Sequence, residues 1–274
     1  MIAMALVVNS NIASLNSQRQ LNSATNELQT NYQRLSSGKR INSAKDDAAG
    51  LQISSRLTAQ INGLNQASRN ANDGISLAQT AEGALDEYTN SLHRMRTLAV
   101  QSSNGSNNTS DRAALNSEFT ELSIELTRIS VDTEFGGVKL LDTSYNEAFQ
   151  IGANKGQTIT IQISANLSAG GVSVSQGVST FTKAQSVIAK IDAALATVNG
   201  VRADLGAKQN RFSSIIRSND NTAENVSASR SRIEDTDFAA ETAQLARSSV
   251  LQQASSSMLA QANQQPQIAL SLLQ

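Results

Sequence analysis

Cysteine is absent and histidine occurs once, at His93, in a chain of 274 residues. That inventory excludes disulfides, thiolate nucleophiles, Cys/His zinc sites and histidine-based acid-base dyads, and most enzyme classes go with them. Tryptophan is also missing and aromatics are 3% of the chain, so the interior must be built from small and aliphatic side chains. Charged residues are 16%, against roughly 25% in an average soluble domain. The 22 basic and 23 acidic side chains leave a net charge of -1, which gives no electrostatic footprint for nucleic acid or an anionic membrane. No apolar run approaches the roughly 18 to 20 residues needed to span a bilayer. The apolar start, Met1 to Val8, is short, has no basic residue before it and meets Asn9 instead of a small-residue cleavage site, so it does not read as a secretory signal. The single proline, Pro266, leaves long stretches free of the residue that most effectively breaks a helix.

What fills the gap is Ser, Asn, Gln, Thr and Ala, threaded by a regular apolar spacing. Leu57, Ile61, Leu64, Ala67, Ala71, Ile75, Ala78, Ala81, Leu85, Tyr88, Leu92, Met95 and Ala99 recur in steps of three and four. Twelve steps over 42 residues average 3.5, the period of a helix packed along a left-handed seam. Leu115, Phe119, Leu122, Leu126 and Ile129 continue the rule, as do Val187, Ile191, Ala194, Val198, Val201, Leu205, Lys208, Phe212 and Ile215, with Lys208 the one polar intruder. Three antiparallel helices with such narrow seams predict an elongated bundle, mainly α.

Shorter seams stand at the two ends: Leu21, Thr25, Leu28, Tyr32 and Leu35, then Phe238, Leu245, Leu251, Ala254, Met258 and Ala262. Within one chain each has only the other as a partner, and both bury little alone, so they are expected to order on assembly. Ser36-Ser37-Gly38 predicts a left-handed C-terminal cap. Ser43-Ala44-Lys45-Asp46 resembles a capping box with Asp in place of Glu, and Asn104-Gly105-Ser106-Asn107-Asn108 breaks the bundle. From Phe149 to Ser164 the period changes to two around Ala153-Asn154-Lys155-Gly156, predicting a small β-hairpin at 149-164 with Asn and Gly at positive φ. Residues 165-181, rich in Gly, Ser and Val, read as a short exposed loop before a helix starting near Thr182.

Several of these stretches, taken whole, resemble bacterial flagellin. They are Arg34-Leu35-Ser36-Ser37-Gly38-Lys39-Arg40-Ile41-Asn42-Ser43-Ala44-Lys45-Asp46-Asp47-Ala48-Ala49-Gly50, the run Ala67 to Ser76, Leu205 to Phe212, Ser229 to Asp237 and Ala260 to Gln267. The resemblance covers nearly the whole chain. It implies a filament subunit, extracellular in the bacterial flagellum, exported unfolded through the flagellar channel without a cleaved leader. Its implied partners are other copies of itself, an export chaperone on the C-terminal helix, and the filament cap and hook-filament junction proteins. The implied domains are a paired terminal coiled coil, 1-43 with 233-274, lining an inner tube, and a bundle, 44-232, forming an outer tube without large projecting domains.

The resemblance also assigns candidate sites. Leu21, Leu28, Leu35, Phe238, Leu245, Leu251, Met258, Leu270, Leu272 and Leu273 become assembly contacts of the terminal helices. Arg94, Leu98 and Glu118 match positions by which the Toll-like flagellin receptor recognises related chains. On the loop, Ser173, Ser175, Ser179 and Thr180 are O-glycosylation candidates, whereas the four Asn-X-Ser/Thr patterns are attributed to chance in an Asn- and Ser-rich chain. Asp46-Asp47 reads as helix-start charge and not a catalytic pair, because sequence neighbours point to different faces and no base or metal partner accompanies them. No cofactor is implied. The rival readings are a hook-filament junction protein, which would match at the ends alone, and a non-polymerising coiled-coil adaptor.

Overall fold

The computed structural model describes residues 10-143 and 145-271, the side chains of 267-271 excepted. Most of the described residues are helical, and the chain divides into two compact units, a terminal unit of residues 1-59 with 226-274 and a central unit of residues 60-225. The helices are α1 (Ile12–Ser37), α2 (Ala48–Ser102), α3 (Thr109–Asp132), α4 (Phe181–Glu234) and α5 (Phe238–Ser271), and the strands are β1 (Glu134–Phe135), β2 (Val138–Lys139), β3 (Tyr145–Gln150) and β4 (Thr158–Ile163). Both α2 and α4 contribute residues to each unit.

In the central unit one hydrophobic cluster joins α2, α3 and α4 through the seams expected from the spacing. Ala71, Ala78, Ala81, Leu85, Tyr88, Leu92, Met95 and Ala99 of α2 are buried in it with Phe119, Leu126 and Ile129 of α3 and Val187, Ile191, Ala194, Val198, Leu205 and Phe212 of α4. Alanines at every second or third step let the backbones approach closely, so few aromatics suffice. Cross-helix pairs set the directions: Arg96 with Asp192 at 2.8 Å, Arg202 with Asp86 at 3.3 Å and Gln209 with Glu82 at 3.0 Å make α2 and α4 antiparallel. Exposed ion pairs of this kind add little stability; the apolar seam carries it.

Lys208, the polar intruder, bonds the hairpin. Its ammonium donates to the Thr160 carbonyl at 2.7 Å and pairs with Asp204 at 3.6 Å. The hairpin is antiparallel, with Tyr145 opposite Ile163 and Gln150 opposite Thr158, so its first strand begins earlier than the period-two pattern indicated. Ile159, Ile161 and Ile163 alternate inward on β4, whereas β3 does not alternate, which is why its start was invisible. Of the two turn residues expected at positive φ, only Gly156 adopts it, at 85°. A second hairpin, β1 with β2, turns on Gly136 and Gly137, both at positive φ; two-residue strands are too short to show a period.

The expectation of an exposed loop at 165-181 is corrected. Leu167, Ala169, Val174 and Val178 are buried in the core cluster, while Ser173, Ser175, Ser179 and Thr180 between them stay exposed. Positive φ at Ser173 and Gly177 folds the segment back so that its sparse valines point inward. The buried helices supply the hydrogen bonds it needs. Tyr88 donates to the Leu167 carbonyl at 2.6 Å, Ser102 to the Val178 carbonyl at 2.6 Å, and Asn116 accepts from the Val178 amide at 2.7 Å. Burial pushes the Tyr88 phenol well above its ordinary value of 10.0, so it remains a donor.

Two substitutions test this packing. Leu85→Ala should destabilise the central unit by about 2 to 5 kcal/mol. Tyr88→Phe should cost about 1 to 3 kcal/mol by stranding the buried Leu167 carbonyl, and amide hydrogen exchange at 169-174 should quicken while that of mid-α2 does not.

Candidate assembly surface

The terminal unit starts from two caps. Asn11 accepts a bond from the Ser14 amide at 3.0 Å and opens α1, and Gly38, at φ 70°, closes it with its amide on the Arg34 carbonyl. The chain then crosses the end of α4. Lys39 bridges to Asp235, the Arg40 amide donates to the Glu234 carbonyl at 2.7 Å, and the Thr236 amide to the Gly38 carbonyl at 3.0 Å. Arg40 donates to the Ile233 carbonyl at 2.6 Å, Lys39 forms an ion pair with Glu234, and Ile41 is buried.

The capping box expected at Ser43-Asp46 forms as a turn ahead of the helix. Asp46 accepts from the amides of Asn42 and Ser43 at 3.1 and 2.9 Å, and these bonds hold its carboxyl below its ordinary value of 3.8. Capping passes to Asp47, which accepts from the Gly50 amide at 2.8 Å. Asp46 and Asp47 thus each have a backbone task, and among the described residues no group of three His, Cys, Asp or Glu could hold a metal.

Beyond this crossing α1 and α5 pair with each other within a single chain, without a neighbouring copy. The pairing is antiparallel: Asn11 donates to the Ala262 carbonyl at 2.6 Å, Ser14 to Asn263 at 2.7 Å and Gln252 to Thr25 at 3.4 Å. What the pair buries is unexpected. Among the described side chains, the buried positions of α5 are Glu241, Ser248, Ser255 and Ala262, spaced by seven, and those of α1 are Ala24 and Asn31, also spaced by seven. With its nitrogen turned toward Glu241, the Asn31 amide donates to that carboxylate at 2.8 Å and to the Glu27 carbonyl at 3.3 Å, and the Ser248 hydroxyl stands 3.4 Å away. Glu241, only 8% exposed, also faces Arg34 at 3.9 Å. Small residues bring the helices close, and the polar layer ties Asn31 to one register, as a buried polar residue does in a coiled coil.

The larger apolar side chains are less completely covered. Leu21, Leu28, Leu35, Leu245 and Leu251 are half-buried, while Phe238 is 56% and Met258 63% exposed. Ile12, Leu15, Tyr32 and Val250 are exposed beside them. The Leu270 side chain, Leu272 and Leu273 lie outside the described residues. The spacing did not reveal the seam because its serines, Asn31 and Glu241 carry no apolar signal; their seven-residue interval would have.

In the central unit Arg94 and Glu118 meet across α2 and α3, with Nε and Nη2 of the arginine 2.7 and 2.6 Å from the carboxylate, both side chains about half exposed. Leu98 is not beside them on the surface. It is 1% exposed and belongs to the core, one position from the seam residue Ala99.

The bacterial flagellin N-terminal helical region matches residues 8-146, and the bacterial flagellin C-terminal helical region matches residues 188-273. This chain belongs to the bacterial flagellin family. A flagellin of Halalkalibacterium halodurans is 48% identical over 271 residues, covering 98% of this chain and all of that one. Flagellin A of Vibrio cholerae is 41% identical over 379 aligned positions, covering 99% and 100%. The solved flagellin of Bacillus cereus superposes with a TM-score of 0.50 at 30% identity, covering 55% of this chain and 88% of that one. As a flagellin it is a structural protein and not an enzyme, a subunit that polymerises with its own kind into the extracellular flagellar filament.

Motif residues Asn70, Gly74 and Phe212 now have physical tasks, joined by Asn219, which no motif marked. Asn70 and Asn219 donate to the carbonyls of Gln150 and Ile151 at 2.9 and 3.0 Å, holding the end of the hairpin. A Cβ on Gly74 would stand 2.9 Å from the Phe212 ring, so glycine there makes room for the Phe149-Phe212 edge contact at 5.9 Å.

Asn31→Ala should destabilise the α1-α5 pair by about 1 to 3 kcal/mol by leaving Glu241 buried without its amide donor, read as earlier loss of helical circular dichroism on heating. Asp46 gives a pH signature. Its lowered carboxyl pKa stabilises the fold above the ordinary carboxylate value, and that contribution is lost as pH falls through the folded value. Asp46→Asn should therefore flatten part of the acid limb of the stability curve.

Proposed function

We propose that this flagellin enters the filament by burying the apolar side chains of its terminal unit against neighbouring copies. The unit of assembly is the paired terminal segments, 1-43 with 233-274, and the bundle 44-232 forms the outer wall. The observation that carries this reading is the exposure of Phe238, Met258, Ile12, Leu15 and Val250 beside a seam of Ser, Ala and Asn. Leu21, Leu28, Leu35, Leu245 and Leu251 complete the contact, with Leu270, Leu272 and Leu273 continuing it at the C-terminus. One face of a subunit meets a different face of the next, so the contact propagates instead of closing. Before assembly the same surface is a liability. A chaperone covers the C-terminal helix in the cytoplasm, and the chain travels unfolded through the flagellar channel to meet the filament cap and, at the base, the junction proteins.

Met258→Asp and Phe238→Asp in the full-length chain test this reading. Each puts a charge where a dry contact is proposed, so purified variants should keep their helical signal yet fail to elongate seeds of short filament fragments. Elongation at the unsubstituted rate would overturn the reading; capping of seeds without growth by the unsubstituted chain would favour a junction protein.

The Arg94-Glu118 pair supports a second role, as a contact for the Toll-like flagellin receptor, with buried Leu98 shaping the surface from below. Arg94→Glu should reduce receptor signalling at least about tenfold, the loss of one charged interfacial partner. The exposed hydroxyls of Ser173, Ser175, Ser179 and Thr180 are the accessible positions for O-linked sugar, read as added mass on peptides spanning 167-183.

A further inference from the structure

Asn-Gly pairs invite deamidation because glycine leaves its amide nitrogen unhindered. The chain has three, at Asn62-Gly63, Asn104-Gly105 and Asn199-Gly200, and the fold treats them differently. The first lies inside α2 and the third inside α4, where each glycine amide is engaged four residues back along the helix. The second lies in the turn between α2 and α3. Both its residues are exposed, no atom stands within 4 Å of a Cβ built on Gly105, and the Gly105 amide makes no hydrogen bond among the described residues.

The surroundings of this turn also favour reaction. The Ser106 amide donates to Asn104 Oδ1 at 3.3 Å, aimed at the oxygen that gains charge when Cγ is attacked. Arg112 donates to the main-chain carbonyl of Asn104 at 3.0 Å, and a guanidinium so placed favours an ionised amide nitrogen and an anionic product.

We propose that Asn104 is a site of spontaneous deamidation and isoaspartate formation, a covalent age mark built into the α2-α3 turn. The Gly105 nitrogen bonds to Asn104 Cγ, the Cγ-Nδ2 bond breaks, and ammonia leaves with the proton that Gly105 gave up. Water then opens the resulting succinimide at one of its two carbonyls, yielding aspartate or isoaspartate. No oxidant or enzyme is needed. The product adds a carboxylate beside Arg112, and in the isoaspartate the backbone is one carbon longer, shifting the carbonyl that Arg112 and the Asn107 amide share. Subunits in an extracellular filament lie beyond intracellular repair, so the mark accumulates.

The test is incubation of the purified full-length chain at mildly alkaline pH in 18O-water, followed by peptide mass spectrometry. The peptide containing Asn104 should gain about one dalton plus the label, at least about tenfold faster than the peptides containing Asn62 or Asn199, whose glycine amides must first be released from a helix. Gly105→Ala, at a position with open space and without positive φ, should suppress the conversion without changing helical content. In denaturant the three sites should converge. Conversion at Asn104 no faster than at the two helical sites, or a difference that persists unchanged in denaturant, would overturn the proposal.

Discussion

A polar layer in the middle of a helix pair governs the architecture of this flagellin's terminal unit. Asn31, Glu241 and Ser248 occupy positions where leucine would maximise burial, and Ala24, Ser255 and Ala262 extend the same seam with small side chains. Such a seam gains register at the expense of hydrophobic stabilisation. The two helices fit one another closely in one alignment, while Ile12, Leu15, Tyr32, Phe238, Val250 and Met258 stay exposed. A subunit built this way is complete as a pair and incomplete as a surface.

The central unit follows the opposite rule. Its seams are apolar through α2, α3 and α4, and its loops turn inward, with Leu167, Val174 and Val178 buried and their carbonyls and amides bonded by Tyr88, Ser102 and Asn116. The hairpin is held at its end by two asparagines and along its side by Lys208. This unit needs nothing from a neighbour to satisfy its interior. The two units thus differ in what they bury: an apolar core in one, small and polar side chains in the other.

The helical seams of the central unit were legible because their period is strict over many turns, and the flagellin motifs were legible as whole stretches. The buried valines of 165-181 were not, because their spacing follows positive φ at Ser173 and Gly177 and obeys no regular period. The shift of capping from Ser43 to Asp47 lay in a choice between two acidic neighbours that local pattern does not decide. Leu98, one position from the strict seam residue Ala99, is included where the seam widens. The buried face of the terminal pair is marked by size and hydrogen bonding, so a search for hydrophobic spacing does not expose it.

In the proposed assembly, neighbouring copies cover the exposed apolar residues of the α1-α5 pair. Hydroxyl-radical footprinting of the full-length chain, free and in filaments, measures this directly at Phe238 and Met258. The account predicts strong labelling of both in the free chain and near-complete protection in filaments, with Phe212 of the central core protected in both states. Equal labelling of Phe238 and Met258 in the two states would contradict it.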